Sequence, residues 1–183
     1  MSDKPLRKDN SAGARMGFGL LGLLLALAAI GGAWSFQLIG GYIPCALCLE
    51  QRIPYYIGIP LLMAALIVTK LNSRSKLGRL LFFNFAICMA WGLYLAIYHA
   101  GAEWAFWPGP TDCGGSAVLS DDTSTLLAQL ETVKLISCTE AAGRFLGLSF
   151  AGWNAVSTMI LGACGLLAAF LPPKMEVLDP DAF

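Results

Sequence analysis

The sequence predicts an all-α membrane protein, a four-transmembrane-helix bundle with two outward loops, in a single membrane domain over residues 1–183. Three observations lead there: the composition, the spacing of the charges, and the distribution of the basic residues. Apolar residues make up 57% of the chain and charged residues only 13%, against roughly 25% charged in an ordinary soluble domain. A soluble fold cannot hide that much apolar surface. The net charge of zero excludes the broadly basic surface of a nucleic-acid-binding protein, so no nucleic-acid partner is expected, and the surroundings are membrane lipid.

The charges are clustered. No Asp, Glu, Lys or Arg occurs between Arg15 and Glu50, Arg52 and Lys70, Arg79 and Glu103, or Arg144 and Lys174. A spanning helix needs roughly 20 mostly apolar residues, so four gaps predict four spans, at about 16–35, 53–70, 80–100 and 150–171. Continuous apolarity points to helices, because the strands of a barrel would alternate apolar with polar residues. The first segment has the basic flank of a signal peptide and a passable cleavage site at Ala26-Leu27-Ala28. Its uncharged run continues through Trp34 and Phe36, too far for a signal-peptide core, and an uncleaved span is expected. The second segment is the shortest and holds Pro54 and Pro60.

Orientation follows from lysine and arginine. The N-terminal segment carries Lys4, Arg7, Lys8 and Arg15, and the 70–79 connection carries Lys70, Arg74, Lys76 and Arg79. The far longer 101–149 segment carries only Lys134 and Arg144. The positive-inside rule places both termini and the 70–79 connection in the cytoplasm. The loops at about 36–52 and 101–149 then face outward, with Trp104, Phe106 and Trp107 suited to an aromatic belt. In the second loop, Asp122 or Thr123 is a capping candidate ahead of Leu126, Leu127, Leu130 and Val133 at helical spacing. A short interfacial helix, or one packed on the rest of the loop, is expected there.

Six cysteines divide along this topology. Cys88 and Cys164 fall within spans, where free cysteine behaves as a small hydrophobe. Cys45, Cys48, Cys113 and Cys138 all fall on the outward side, which in a bacterial inner membrane is the periplasm, where disulfides persist. Four cysteines admit three pairings. A zinc ribbon would offer a second close pair, whereas Cys113 and Cys138 stand 25 positions apart, so no metal site is expected. The pair in PCALCLEQR, residues 44–52, closes too small a loop to be a useful staple. It suits thiol exchange, because CxxC cysteines readily acquire perturbed pKa values. Arg52 lies four residues after Cys48, where a cation would stabilise a thiolate or a charge developing on a bound acceptor. Pro54 belongs in a helix's first turn and so sets Arg52 just before that helix, near Cys48 but not stacked over it. The alternative for Arg52 is an interfacial cation reaching toward headgroups. His99, the single histidine, ends the third span in LAIYHAG on the same side as the dithiol. It is either a polar anchor or a supporting group of the site.

With these residues in view, the chain resembles the bacterial disulfide bond formation protein B (DsbB) family. The matching pieces are PCALCLEQR, the single His99 before the second outward loop, WPGPTDC ending at Cys113, and SCTEAAGRFLGLSFAGWN around and after Cys138. The resemblance implies a thiol:quinone oxidoreductase of the inner membrane. Such an enzyme reoxidises a periplasmic DsbA-like dithiol oxidase and passes the electrons to a membrane quinone, ubiquinone or menaquinone. It further implies Cys45, Cys48, Cys113 and Cys138 as the catalytic cysteines, with Arg52 and His99 on the quinone side. Resting disulfides Cys45–Cys48 and Cys113–Cys138 come with it, as does a relay in which the partner attacks Cys113, Cys138 attacks Cys45, and Cys48 donates to the quinone. A specialised paralogue serving a dedicated partner is the rival within the same chemistry. A structural membrane protein with inert disulfides is the rival outside it.

Overall fold

The computed structural model describes residues 7–9, 11–110, 134–135, 137–172 and 175–177. Among the described residues four long helices form a bundle: α1 (Ser11–Leu38), α3 (Ile53–Leu71), α4 (Lys76–Glu103) and α5 (Phe150–Phe170), with a one-turn α2 (Ala46–Glu50) between α1 and α3. All four are long and apolar enough to cross a membrane. At 1.5 Å per residue, α5 is about 31 Å long and α1 about 42 Å, against a hydrocarbon thickness of about 30 Å. The helices outrun the charge-free gaps by taking in Arg15, Lys76, Arg79 and Glu103. Charged groups at a helix end keep the backbone ladder intact while their heads reach polar surroundings.

Each spanning helix packs on two neighbours: α4 on α3 and α5, and α1 on α3 and α5. The centre is filled by Leu62, Phe82, Phe85, Met89 and Leu161, with the small residues Ala26, Ala65 and Ala168. Hydrocarbon gives no hydrophobic drive between helices, so close approach through small residues takes over. At Gly19 a Cβ would lie 2.6 Å from Leu66 Cδ2, and at Gly165 one would lie 2.9 Å from Phe85 Cδ1 and 3.1 Å from the carbonyl oxygen of Phe82. Leu24, Ile67 and Ile97 point outward, more than half exposed, a surface that only lipid would cover.

Local signals set the helix ends. Ser75 and Ser149 are N-caps, their Oγ atoms accepting from the amides of Gly78 and Gly152. Pro54 stands in the first turn of α3, with Arg52 as the N-cap residue. At the bundle end that holds Ser11 and Asn72, buried Arg15 donates to the carbonyls of Ser73 at 2.7 Å and Leu171 at 2.9 Å. Arg79 reaches the same Leu171 oxygen. The carbonyl of Leu171, the C-cap residue of α5, thus meets two guanidinium groups, a favourable arrangement for the helix dipole.

Among the described residues three short ladders tie the connections. β1 (Arg7–Asp9) pairs antiparallel with β6 (Met175–Val177). β2 (Tyr42–Ile43) pairs in parallel with β3 (Lys134–Leu135), Tyr42 opposite Lys134 and Ile43 opposite Leu135. β4 (Arg144–Phe145) and β5 (Leu148–Ser149) form a hairpin whose two loop residues, Leu146 and Gly147, both have positive φ, the geometry of a two-residue primed turn. The helix expected near 122–133 lies outside the described residues.

Candidate active site

Among the described residues, Cys45, Cys48, Cys138, Arg52 and His99 gather at the bundle end opposite Arg15. Pro44 and Cys45 lead into α2, and Cys45 is its N-cap residue, with extended backbone. The Cys45 Sγ accepts from the Cys48 amide at 3.3 Å and lies 2.8 Å from the Cys48 Sγ. Both are free thiols. The Cys45–Cys48 disulfide expected from the resemblance is therefore not formed here; the structure holds the pair as a dithiol, one sulfur hydrogen-bonded to the other.

Cys45 is fully buried, yet its pKa falls from the ordinary 9.0 to about 5. The hydrogen bond from the Cys48 thiol is the main cause; burial opposes it, and the His99 ring and the Cys48 amide add to it. Donors aimed at one sulfur outweigh the cost of removing its charge from water. Cys45 is thus the thiolate of the pair.

Cys138 comes to the same place from 93 residues away in sequence. The β2–β3 ladder explains how. Pairing Ile43 with Leu135 in parallel register brings the next residues of both strands, toward Cys45 and Cys138, along the same direction. Cys138 is fully buried and packs with Cys45 and Leu47. Its sulfur, the Cys45 sulfur and a His99 ring nitrogen all lie within 4.8 Å of one another. Cys138 is disulfide-bonded, so that trio offers a metal two free donors rather than three. Cys113 lies outside the described residues, and the expected Cys113–Cys138 bond falls on it.

His99 is buried, not an interfacial anchor. Its Nε2 lies 3.9 Å from Cys45 Sγ and 3.8 Å from Glu103 Oε1, the latter one helical turn further along α4. Its Nδ1 lies 2.7 Å from Gln51 Nε2. Gln51 Oε1 accepts from Asn154 Nδ2 at 2.6 Å, and Asn154 Oδ1 accepts from the Tyr55 hydroxyl at 2.7 Å. Read from Tyr55 inward, each amide has its oxygen toward the previous donor, so Gln51 presents N–H to the ring. Nδ1 is then the acceptor, and the ring proton sits on Nε2, facing Cys45.

Arg52 is buried as well. It donates to Gln37 Oε1 at 2.6 Å and to the Ala33 carbonyl, and its guanidinium lies 5.4 Å from the centre of the Trp34 ring. Among the described residues no carboxylate pairs with it. Its charge is held by neutral dipoles and a ring face, which leaves it available to an anion or a polarised carbonyl.

Cys48, Gln51, Arg52, Tyr55, His99 and Glu103 all line one cavity of about 320 Å³, whose remaining wall is largely apolar, from Ala29, Ile30, Phe36 and Phe150. Pockets of this size and mixture accept a small, mainly apolar molecule oriented by a few polar groups. Cys45 is behind Cys48, outside the lining.

Four of these residues escape sequence reasoning: Gln51, Tyr55, Asn154 and Glu103. Two carried a usable signal. Asn154 is an amide inside an apolar span, and such residues are functional candidates by default. Glu103 stands at i+4 from the single histidine. Gln51 and Tyr55 had none, being an ordinary amide beside an arginine and an ordinary aromatic in a span.

Comparison with known proteins adds the following. The family described as disulfide bond formation protein DsbB matches residues 15–168. Disulfide bond formation protein B of Nitrosomonas eutropha is 30% identical over 157 residues, covering 83% of this chain and 91% of that protein. An uncharacterized protein of Rickettsia prowazekii is 25% identical over 147 residues, covering 79% of this chain and 80% of that one. No solved structure matches.

Proposed function

Because this chain belongs to the disulfide bond formation protein DsbB family, a family of membrane oxidoreductases of disulfide formation, we propose that it reoxidises a periplasmic DsbA-like dithiol oxidase and delivers the electrons to a membrane quinone. The observation that carries this reading is the position of Cys45. Its sulfur lies within 4.8 Å of the Cys138 sulfur on one side and 2.8 Å from Cys48 on the other, and Cys48 lines the cavity. Electrons entering by Cys138 have a short path to that cavity.

The reading assigns the outward loops to the periplasm and both termini to the cytoplasm of a bacterial inner membrane, on the basic-residue asymmetry. It assigns Cys113 to Cys138 as a resting disulfide and Cys45 to Cys48 as the second. The partner's thiolate attacks Cys113, the sulfur in the longer outward loop, and Cys138 leaves as a thiolate. Cys138 attacks Cys45, and Cys48 leaves in turn. Each exchange forms one S–S bond and breaks one, with no net redox change. The Cys48 amide and the His99 ring, both beside the Cys45 sulfur, favour its departure as a thiolate when that bond is later broken.

The cavity suits a flat, mostly apolar acceptor with polar oxygens: its walls are largely apolar, and Arg52, His99 and Gln51 are among the few polar groups that line it. A quinone bound there would supply the two-electron acceptance that no protein side chain provides. Arg52 would hold its charge beside the oxygen that becomes negative, and Cys48 would be the sulfur that loses the electron pair.

The test uses purified protein in lipid with a quinone and a reduced periplasmic dithiol oxidase. Loss of quinone absorbance, matched by disulfide appearing in the oxidase, is the expected result. Oxidation of the dithiol with no quinone consumed would remove the acceptor half of the proposal, and no oxidation at all would return the chain to a structural role.

A further inference from the structure

The His99 ring offers one N–H to two acceptors at nearly equal distance, Cys45 Sγ at 3.9 Å and Glu103 Oε1 at 3.8 Å. One proton cannot serve both well. Glu103 is as buried as His99, with side-chain exposure of 4%. Its Oε2 is buried with no hydrogen-bond partner, and the residue lines the same cavity as Cys48. A buried carboxylate with an orphaned oxygen is costly to keep ionised.

We propose that Glu103 is the proton carrier of the Cys45–Cys48 pair, holding a proton while Cys45 is a thiolate and releasing it toward the cavity when the disulfide forms. This rests on the reading of Cys45 and Cys48 as a redox pair. When Cys45 carries charge, the His99 N–H serves the sulfur, and Glu103 answers by taking up a proton. When Cys45 is part of a disulfide its sulfur is a neutral, weak acceptor, and the N–H turns to the Glu103 carboxylate. His99 itself is poorly placed to store the proton, because Nδ1 already accepts from Gln51, and protonating it would set donor against donor.

The balance closes. The reduced site holds a Cys45 thiolate, a Cys48 thiol and a protonated Glu103. On oxidation by a two-electron, two-proton acceptor of the quinone class, one S–S bond forms and two electrons leave. The Cys48 proton and the Glu103 proton leave with them, and Glu103 stays behind as a carboxylate. The site carries one negative charge before and after. The other ionisable groups around the cavity among the described residues are Arg52 and the phenols of Tyr42 and Tyr55; α1 and α5 bring only neutral groups, such as Gln37 and Asn154.

The experiment is infrared difference spectroscopy on the full chain in lipid without quinone, with the pair cycled between disulfide and dithiol by a small-molecule thiol buffer. The wild-type protein should gain a protonated-carboxyl C=O band on reduction, shifted in heavy water, and Glu103→Gln should lose it. Ultraviolet thiolate absorbance in the same samples reports that the site is folded and reduced. Should Glu103→Gln lack that absorbance, Glu103→Asp replaces it, and its carboxyl band should move rather than vanish. With quinone added, turnover of Glu103→Gln should fall on the order of 10²-fold. No band in the wild type, an unchanged band in Glu103→Gln, or an unmoved band in Glu103→Asp overturns the proposal. Because the infrared readout needs neither quinone nor partner, it stands or falls separately from the proposed function.

Discussion

Gln51 Nε2 lies 2.7 Å from His99 Nδ1, and the contact decides which ring nitrogen carries the proton. The Asn154 amide fixes the direction of the Gln51 side chain, so the ring proton faces Cys45. Gln51→Leu should therefore free the tautomer and weaken the hydrogen bond to the sulfur. A hydrogen bond to a charged group is worth about 1.5–3 kcal/mol, so the Cys45 pKa should rise by about 1–2 units. Thiolate absorbance against pH measures it, and an unmoved midpoint would show that the ring orientation does not depend on Gln51.

A second prediction concerns pH. The Cys45 pKa is depressed in the folded dithiol, from 9.0 to about 5. A depressed acid contributes stability that is complete above its unfolded pKa and lost as pH falls through the folded one. The reduced protein should thus lose stability as pH drops from about 9 to about 5, while its alkylation rate at Cys45 stays nearly flat until close to pH 5. Iodoacetamide labelling with peptide mapping reads the rate, and a midpoint near 9 would contradict the arrangement of donors.

Arg52 is held by Gln37, the Ala33 carbonyl and the Trp34 ring, with no carboxylate among the described residues to neutralise it. Arg52→Ala should raise the KM for quinone about tenfold, a loss of about 1.4 kcal/mol, with a smaller effect on thiol exchange with the partner. His99→Ala should raise it more mildly. Steady-state kinetics varying quinone and partner separately make the distinction. If only the partner's KM moves, Arg52 is a headgroup anchor.

Packing gives a prediction independent of chemistry. Gly165→Ala would set a methyl 3.1 Å from the Phe82 carbonyl oxygen and 2.9 Å from the Phe85 ring. Backbone cannot yield as a side chain can, and overpacking of this kind costs about 1–3 kcal/mol. Thermal unfolding in detergent should show a lower Tm for Gly165→Ala, whereas Gly31→Ala, with open space around it, should show none of that loss.

The order of exchange is open to trapping. With Cys138→Ser and the Cys45–Cys48 disulfide left to take up the two electrons, a partner with one cysteine removed should accumulate as a mixed disulfide on Cys113 while Cys45 and Cys48 end as the dithiol. Accumulation on Cys45 or Cys48 instead, with Cys113 free, would show entry through the dithiol itself. Non-reducing electrophoresis followed by peptide mapping resolves the two.

How much of this was legible in one dimension follows from the range of each signal. The four spans are written in runs of uncharged residues, because the bilayer imposes the same apolar condition at every position along a helix. Cys45 and Cys48 are legible as a pair because only two residues separate them, and the Pro54 rule puts Arg52 at the start of α3. These signals are local, and chain geometry alone carries them. The proximity of Cys138 to Cys45 is different: it depends on the pairing of Tyr42–Ile43 with Lys134–Leu135, segments far apart in sequence, which no local pattern announces.

The sequence by itself determined the membrane, the number of helices and the presence of a dithiol at one end. Tertiary structure alone decided what surrounds that dithiol. Gln51 meets Asn154 across 103 positions and Tyr55 meets it across 99, and both contacts depend on how α5 is rotated about its own axis against α2 and α3. An apolar helix in lipid shows little preference for one face until its neighbours pack against it. Small residues and shape set that rotation, and with it the tautomer of His99, the thiolate at Cys45 and the burial of Glu103.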